Sequence, residues 1–229
     1  MTRSPLSPVA PRVALLPLLA ALSAQLIGCG SVRYRENFAP EGEIRHIVVQ
    51  SDAGLVELVA GDSLRVERAI HGPELALSLS HSVEDGVLTL QARCKRLMPC
   101  AVDTRVQVPD GVSVSVDLGQ GEVWATGIAQ LELELDEGLV DLDLDGQLNA
   151  SVGEGVVRAR LGEGSSAHVG VGKGDILVQV PSGAWDVEAV TPSLDTSHVS
   201  ILSGAPSSLD LVAPAGRVQV LGMVDLARR

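Results

Sequence analysis

From Gly119 to Val180 the chain alternates apolar and polar residues, and the alternation comes in repeats. Gly121, Gly138, Gly155 and Gly174 align with spacings of 17, 17 and 19 residues. Behind each glycine stands one apolar column, Val123, Val140, Val157 and Ile176, and then a second, Ala125, Leu142, Ala159 and Val178. The positions between and after them hold Trp124, Asp141, Arg158 and Leu177, then Thr126, Asp143, Arg160 and Gln179. Alternation with period two is the signature of a strand with one side buried. A fixed apolar column beside a variable one marks a stacked repeat. A second strand in each repeat carries Leu131, Leu133 and Leu135, then Leu148, Ala150 and Val152. Turns fall at Gly127, Asp145-Gly146, Gly162-Glu163-Gly164 and Ser182-Gly183. Each repeat therefore predicts two strands, the first opening at the glycine.

The same pattern extends in both directions. Residues 44–49 read as a strand, and Gly54 opens another copy with Val56, Leu58 and Ala60. Residues 64–67, 75–79, 87–90 and 102–108 alternate, punctuated by Asp85-Gly86 and Pro109-Asp110-Gly111. Residues 112–118 lead into the repeats, and 195–201 and 216–220 read as final, irregular rungs. No window shows helical periodicity, so the class is all-β. Two arrangements fit: a β-solenoid (β-helix) with rungs of about 17 residues, or an antiparallel β-sandwich or meander. Stacking at 17 sets Asp141 beside Arg158 and Asp143 beside Arg160. Opposite charges on adjacent strands contribute roughly 0.2–1 kcal/mol a pair, which favours the solenoid. No rung of a solenoid is stable alone, and its ends need caps.

Composition sharpens the picture. Of 229 residues 45% are hydrophobic but only 2% aromatic, so the core is built from Val, Leu, Ile and Ala. The net charge is −12. Such a surface repels phosphate backbones and offers no aromatic series for bases, which excludes nucleic acid as a partner.

The N-terminus reads as an address. Arg3 and Arg12 precede an apolar run from Val13 to Ile27, as in an export signal. The run is shorter than the roughly 20 apolar residues of a membrane span, and Pro17 interrupts it. Leu26-Ile27-Gly28-Cys29 resembles the lipobox of bacterial lipoproteins. That resemblance implies cleavage before Cys29, lipid on its sulfur and amino group, and a firm membrane anchor. The other reading is an ordinary signal peptide with a coincidental cysteine. Gly30-Ser31 lacks the aspartate that often retains such proteins in the inner membrane, which points to the outer membrane. The layout is then a signal peptide at 1–28, a tether at 29–40, a repeat domain at 41–222 and a tail at 223–229. With Cys29 lipidated, Cys94 and Cys100 are left as an even pair in an exported protein. They read as a disulfide closing the loop 95–99, against two free thiols or half a metal site. Arg93, Lys95, Arg96 and Arg105 form a basic cluster on an acidic chain.

The lead-in strands, the Val-Pro-Asp-Gly step at 108–111 and the repeated Gly-x-Val-x-Leu strands resemble the bacterial putative-adhesin family of β-helical envelope proteins. These include head GIN domains, a tag that Gly127-Ile128-Ala129 echoes imperfectly. The resemblance spans roughly residues 38–222. It implies an exported, right-handed β-helix tethered to a membrane, and it carries no catalytic residues over.

Candidate chemistry is sparse. Asp141-Leu-Asp-Leu-Asp-Gly146 matches the opening of a calcium loop, but the twelfth position, where an acid is needed, is Val152. The segment reads as a strand with an acidic face, and the face from Glu132 to Asp145 could bind calcium weakly. Gly170-Val-Gly-Lys-Gly174 lacks the spacing of a phosphate loop and reads as a turn. The five histidines, His46, His71, His81, His168 and His198, are scattered, and no serine sits in a Gly-x-Ser-x-Gly elbow. No cofactor site is expected. The reading is a lipid-anchored, non-catalytic, adhesin-like interaction module of the cell envelope, held to the membrane through Cys29. Its ligand, protein or glycan, is left open. The rivals are a carbohydrate-active β-helix enzyme, which would need facing carboxylates, and a calcium-stiffened structural protein.

Overall fold

The computed structural model describes residues 32–73, 77–95 and 99–223. The expected signal peptide, Cys29, Arg96 and the last six residues lie outside these. The described residues are all-β. Their strands are β1 (Val32–Phe38), β2 (His46–Ala60), β3 (Arg65–His71), β4 (Leu77–Glu84), β5 (Val87–Cys94), β6 (Ala101–Val108), β7 (Ser113–Thr126), β8 (Gln130–Leu144), β9 (Gln147–Leu161), β10 (Ser166–Val180), β11 (Ala184–Val190), β12 (Ser193–Ser197), β13 (Ser200–Ile201), β14 (Ser207–Val212) and β15 (Arg217–Gly222).

The repeats pair in parallel, one above the next. Leu131 lies beside Leu148 and Val140 beside Val157, so β8 and β9 stack in the 17-residue register. β7 joins β8 in the same way, and β10 joins β9. An antiparallel meander does not describe these four strands. The predicted neighbours are in place: Asp141 lies beside Arg158 in register, and Arg160 Nη1 donates to Asp143 at 3.0 Å, the one of the two pairs that closes into an ion pair.

One expectation needs revision. The glycine does not open a strand but bends one. β8 runs through Gly138, burying Leu131, Leu133 and Leu135 before it and Val140, Leu142 and Leu144 after it. The alternation skips a beat across Asp136–Leu139, so both halves turn their apolar side onto the same core. The glycines at this corner stack in a column. Gly138 has φ +152°, and a Cβ there would sit 1.8 Å from the carbonyl oxygen of Gly121. Only a residue without Cβ allows the coils to approach so closely. Gly170–Gly174, read as a turn, is the corresponding corner of β10.

Each long strand thus contributes a leading half to one face and a trailing half to the other. The leading face runs β4, β5, β2, β7, β8, β9, β10, β14, β11, β13; the trailing face runs β1, β3, β6, β2, β7, β8, β9, β10, β15, β12. Chain order and stack order differ at both ends. β5 and β6 fit between β2 and the antiparallel pair β4 and β3. β14 and β15 fit between β10 and β11/β12. Residues 32–38, within the stretch read as a tether, form β1, because alternating Glu36 and Phe38 can pack over β3. There Arg68 points inward with a side chain only 1% exposed, beside Glu36 at 3.6 Å and beneath the ring of Phe38. Burial pulls its guanidinium below the ordinary arginine value, and Glu36 opposes that shift.

Candidate functional site

The Cys94–Cys100 disulfide is present and occupies a corner. β5 belongs to the leading face and β6 to the trailing face, so the Cys94–Cys100 bridge joins the two faces, as a glycine bend does in β7 to β10. Asp52, at the β2 corner beside it, accepts the Cys94 N–H at 2.6 Å and Arg93 Nη1 at 2.8 Å. The second bond holds the Arg93 guanidinium above its ordinary value. The disulfide is therefore structural: it replaces a backbone bend by a covalent one.

The calcium-loop match dissolves in the same way. Asp141 and Asp143 lie on β8 with Leu142 and Leu144 buried between and after them. Arginines of β9 stand beside both. Among the described residues no three His, Cys, Asp or Glu side chains converge as metal ligands.

The fold assembles polar groups that the sequence scatters. On the leading face a groove of about 650 Å³ crosses β2, β7, β8, β9, β10 and β14. His46 Nδ1 lies 2.8 Å from Ser113 Oγ, and its Nε2 lies 3.2 Å from Ser115 Oγ. Ser115 donates in turn to Glu132 at 3.2 Å. His168 contacts Asp210 at 2.8 Å further along, and on the trailing side His71 contacts Asp103 at 2.7 Å. Ser115 and Glu132 are one repeat, 17 residues, apart, whereas each histidine is 32 to 69 residues from its partner, so no local motif announces the histidine contacts.

A serine beside a histidine raises the question of acyl transfer. The arrangement argues against it. Glu132 contacts the serine rather than orienting the imidazole, whose other nitrogen faces a second serine. Ser115 lies on β7 between β2 and β8, whose ladders engage the backbone N–H groups around it. The groove presents hydroxyl, amide, imidazole and carboxylate groups on a frame of paired strands.

The trailing face differs in one respect. Its outward row, read across the strands by register, is Arg105, Glu57, Trp124, Asp141, Arg158. Trp124 is 45% exposed there, whereas Trp185, the other tryptophan, is buried. The 17-residue alignment already set Asp141 and then Arg158 beside Trp124, and the copy at Gly54 set Glu57 on its other side; Arg105 had no such signal.

No family model and no curated protein matches the chain. Several solved structures are similar. A "putative cell adhesion protein" from Clostridium sporogenes matches with a TM-score of 0.45 at 12% identity, covering 83% of this chain and 99% of that one. A "putative adhesin" from Bacteroides fragilis matches at 0.35 and 12%, covering 83% and 96%. A "putative lipid binding protein" from Parabacteroides distasonis matches at 0.28 and 12%, covering 84% and 95%. These scores are too low to carry any inference about this chain.

Proposed function

We propose that the protein is a lipid-anchored, non-catalytic interaction module of the bacterial cell envelope, built as a right-handed β-solenoid. The observation that carries this reading is the parallel stacking of whole coils on one core. It leaves two outer faces of fixed polar geometry. The hand follows the strong right-handed preference of parallel crossovers. A rigid display surface suits recognition, because little conformational entropy is lost when a ligand docks.

The anchor would be Cys29, three residues before β1. The N-terminal end of the stack then faces the membrane. Arg35, Arg45, Arg65, Arg93 and Lys95 belong to that end, while Arg158, Arg160, Lys173 and Arg217 are the cations between Asp110 and Met223. The N-terminal end is acidic on balance as well, with nine Lys and Arg against twelve Asp and Glu over residues 32–110, so attachment would rest on the lipid and not on charge. Replacing Cys29 by Ala should move the protein from the membrane to the soluble fraction. Membrane retention of Cys29→Ala would overturn the anchor. Protease digestion of the tagged protein on intact cells would place the module on the surface, and protection until lysis would place it in the periplasm.

A further inference from the structure

The trailing face holds a row of side chains with an unusual symmetry. Trp124 of β7 stands at its centre. Glu57 of β2 lies beside it on one side and Asp141 of β8 on the other. Beyond Glu57 comes Arg105 of β6, and beyond Asp141 comes Arg158 of β9. The order is cation, anion, indole, anion, cation. Strands in a sheet lie about 4.8 Å apart, so the row spans about 19 Å.

The surface on either side is hollowed. One cleft of about 210 Å³ is lined by Leu55, Glu57 and Arg105 with residues of β1 and β3. The other, about 180 Å³, is lined by Asp141, Arg158, Arg160, Leu177 and Gln179. Trp124 is the ridge between them. Leu55 and Leu139, in the adjoining row across β2, β7 and β8, add aliphatic surface near the indole.

Each feature narrows the ligand. An exposed indole with so little apolar neighbourhood is costly to display unless something stacks on it, and its flat face suits a flat apolar partner. The two carboxylates and two guanidiniums offer acceptors and donors on both sides. Glu67 of β3, beside Arg105, and Glu122 of β7, between Leu55 and Leu139, make the surroundings acidic on balance, which disfavours an anionic ligand. A ligand with an apolar face, a rim of hydroxyls that donate to carboxylates, and no negative charge is a neutral saccharide. Two clefts flanking one ridge suit a linear chain of rings, with one ring on the indole and its neighbours in the hollows.

We propose that Trp124, with Glu57 and Asp141, is the platform of a binding site for a neutral linear oligosaccharide, and that this is a ligand of the module. The inference rests on the interaction-module reading and names a site and ligand class for it. Arg105 Nε forms an ion pair with Glu57 at 3.7 Å and so draws that carboxylate toward the row. The polar groove of the leading face is not required.

The test uses the full chain in detergent and the emission of its two tryptophans. Trp185 is 2% exposed and gives a constant signal, so a ligand-dependent change reports Trp124. Cellohexaose, chitohexaose and maltohexaose are titrated in turn, with tetramethylammonium as the cationic comparison. At least one saccharide should shift the emission saturably. Trp124→Ala should weaken its binding, measured by calorimetry, by about tenfold or more, as for a central aromatic anchor. Trp124→Phe should retain part of the affinity, and Glu57→Gln with Asp141→Asn should lose most of it. All three positions point outward from the core, so the variants keep the fold. No shift with any saccharide, a shift with tetramethylammonium alone, or full affinity in Trp124→Ala would overturn the proposal. Binding of the purified wild-type protein to isolated envelope material is measured separately. If that binding persists while no saccharide binds, the saccharide site falls and the module reading stands.

Discussion

At the residue scale the fold depends on what is missing from the corner. Gly54, Gly121, Gly138, Gly155, Gly174 and Gly216 form one column, and each Cβ added from Gly121 on would strike the glycine beneath it. Gly138→Ala should therefore destabilise by more than about 3 kcal/mol, the upper range for backbone strain alone, because steric overlap adds to it. Gly164→Ala makes the comparison. Its φ is +77°, yet nothing lies within 4 Å, so only the left-handed conformation is penalised, by about 1–2 kcal/mol. Urea midpoints at constant slope separate the two, and equal losses would show that the stacked carbonyl is not the determinant. The sequence displays this column as a repeat, and its spacing was legible. Its meaning as a bend was not, because alternation on both sides of a glycine looks the same whether a strand starts there or turns.

At the element scale covalent and non-covalent corners can be weighed against one another. The Cys94–Cys100 loop is short, and loop-closure entropy assigns it about 2 kcal/mol. The exposed Asp143–Arg160 pair, with side chains 49% and 53% exposed, contributes at most about 1 kcal/mol. Cys94→Ser with Cys100→Ser should thus lower the unfolding free energy by about 2 kcal/mol and leave the outer faces unchanged. A loss below about 0.5 kcal/mol would mean that Asp52, through its bonds to Cys94 and Arg93, already fixes that corner. Cysteine arithmetic found the bridge because it depends only on counting thiols. The His46–Ser115 contact and the place of Arg105 escaped the sequence for the opposite reason. The 17-residue register sets Glu132 beside Ser115 and Asp141 beside Trp124, but it gives no register for residues 61–112, where β5 and β6 enter the stack out of order. Arg105 reaches Glu57 only because of that insertion.

At the scale of the whole molecule, stability should follow position in the stack and not position in the chain. In a stacked repeat each coil is held by its neighbours, so a coil with two partners is protected and a terminal coil frays. β14 and β15 come last among the described strands, yet they lie between β10 and β11/β12, and Val218 and Val220 are fully buried. β12 and β13 precede them but stand at the end of the stack, with Leu194 49% and Ile201 52% exposed. Amide hydrogen exchange distinguishes the two orders directly. The amides of Leu211, Val218 and Val220 should exchange as slowly as those of β9 and β10, whereas residues 193–201 should exchange fastest. The same logic applies at the other end, where β5 and β6 should be better protected than β4 and β1. If β14 and β15 exchanged as rapidly as β13, the inserted coil would be a loosely laid strap. The cap would then consist of β11 and β12 alone. Slow exchange in β14 and β15 would show that the chain closes its stack by returning inside it, sealing β10 with a coil that is itself covered.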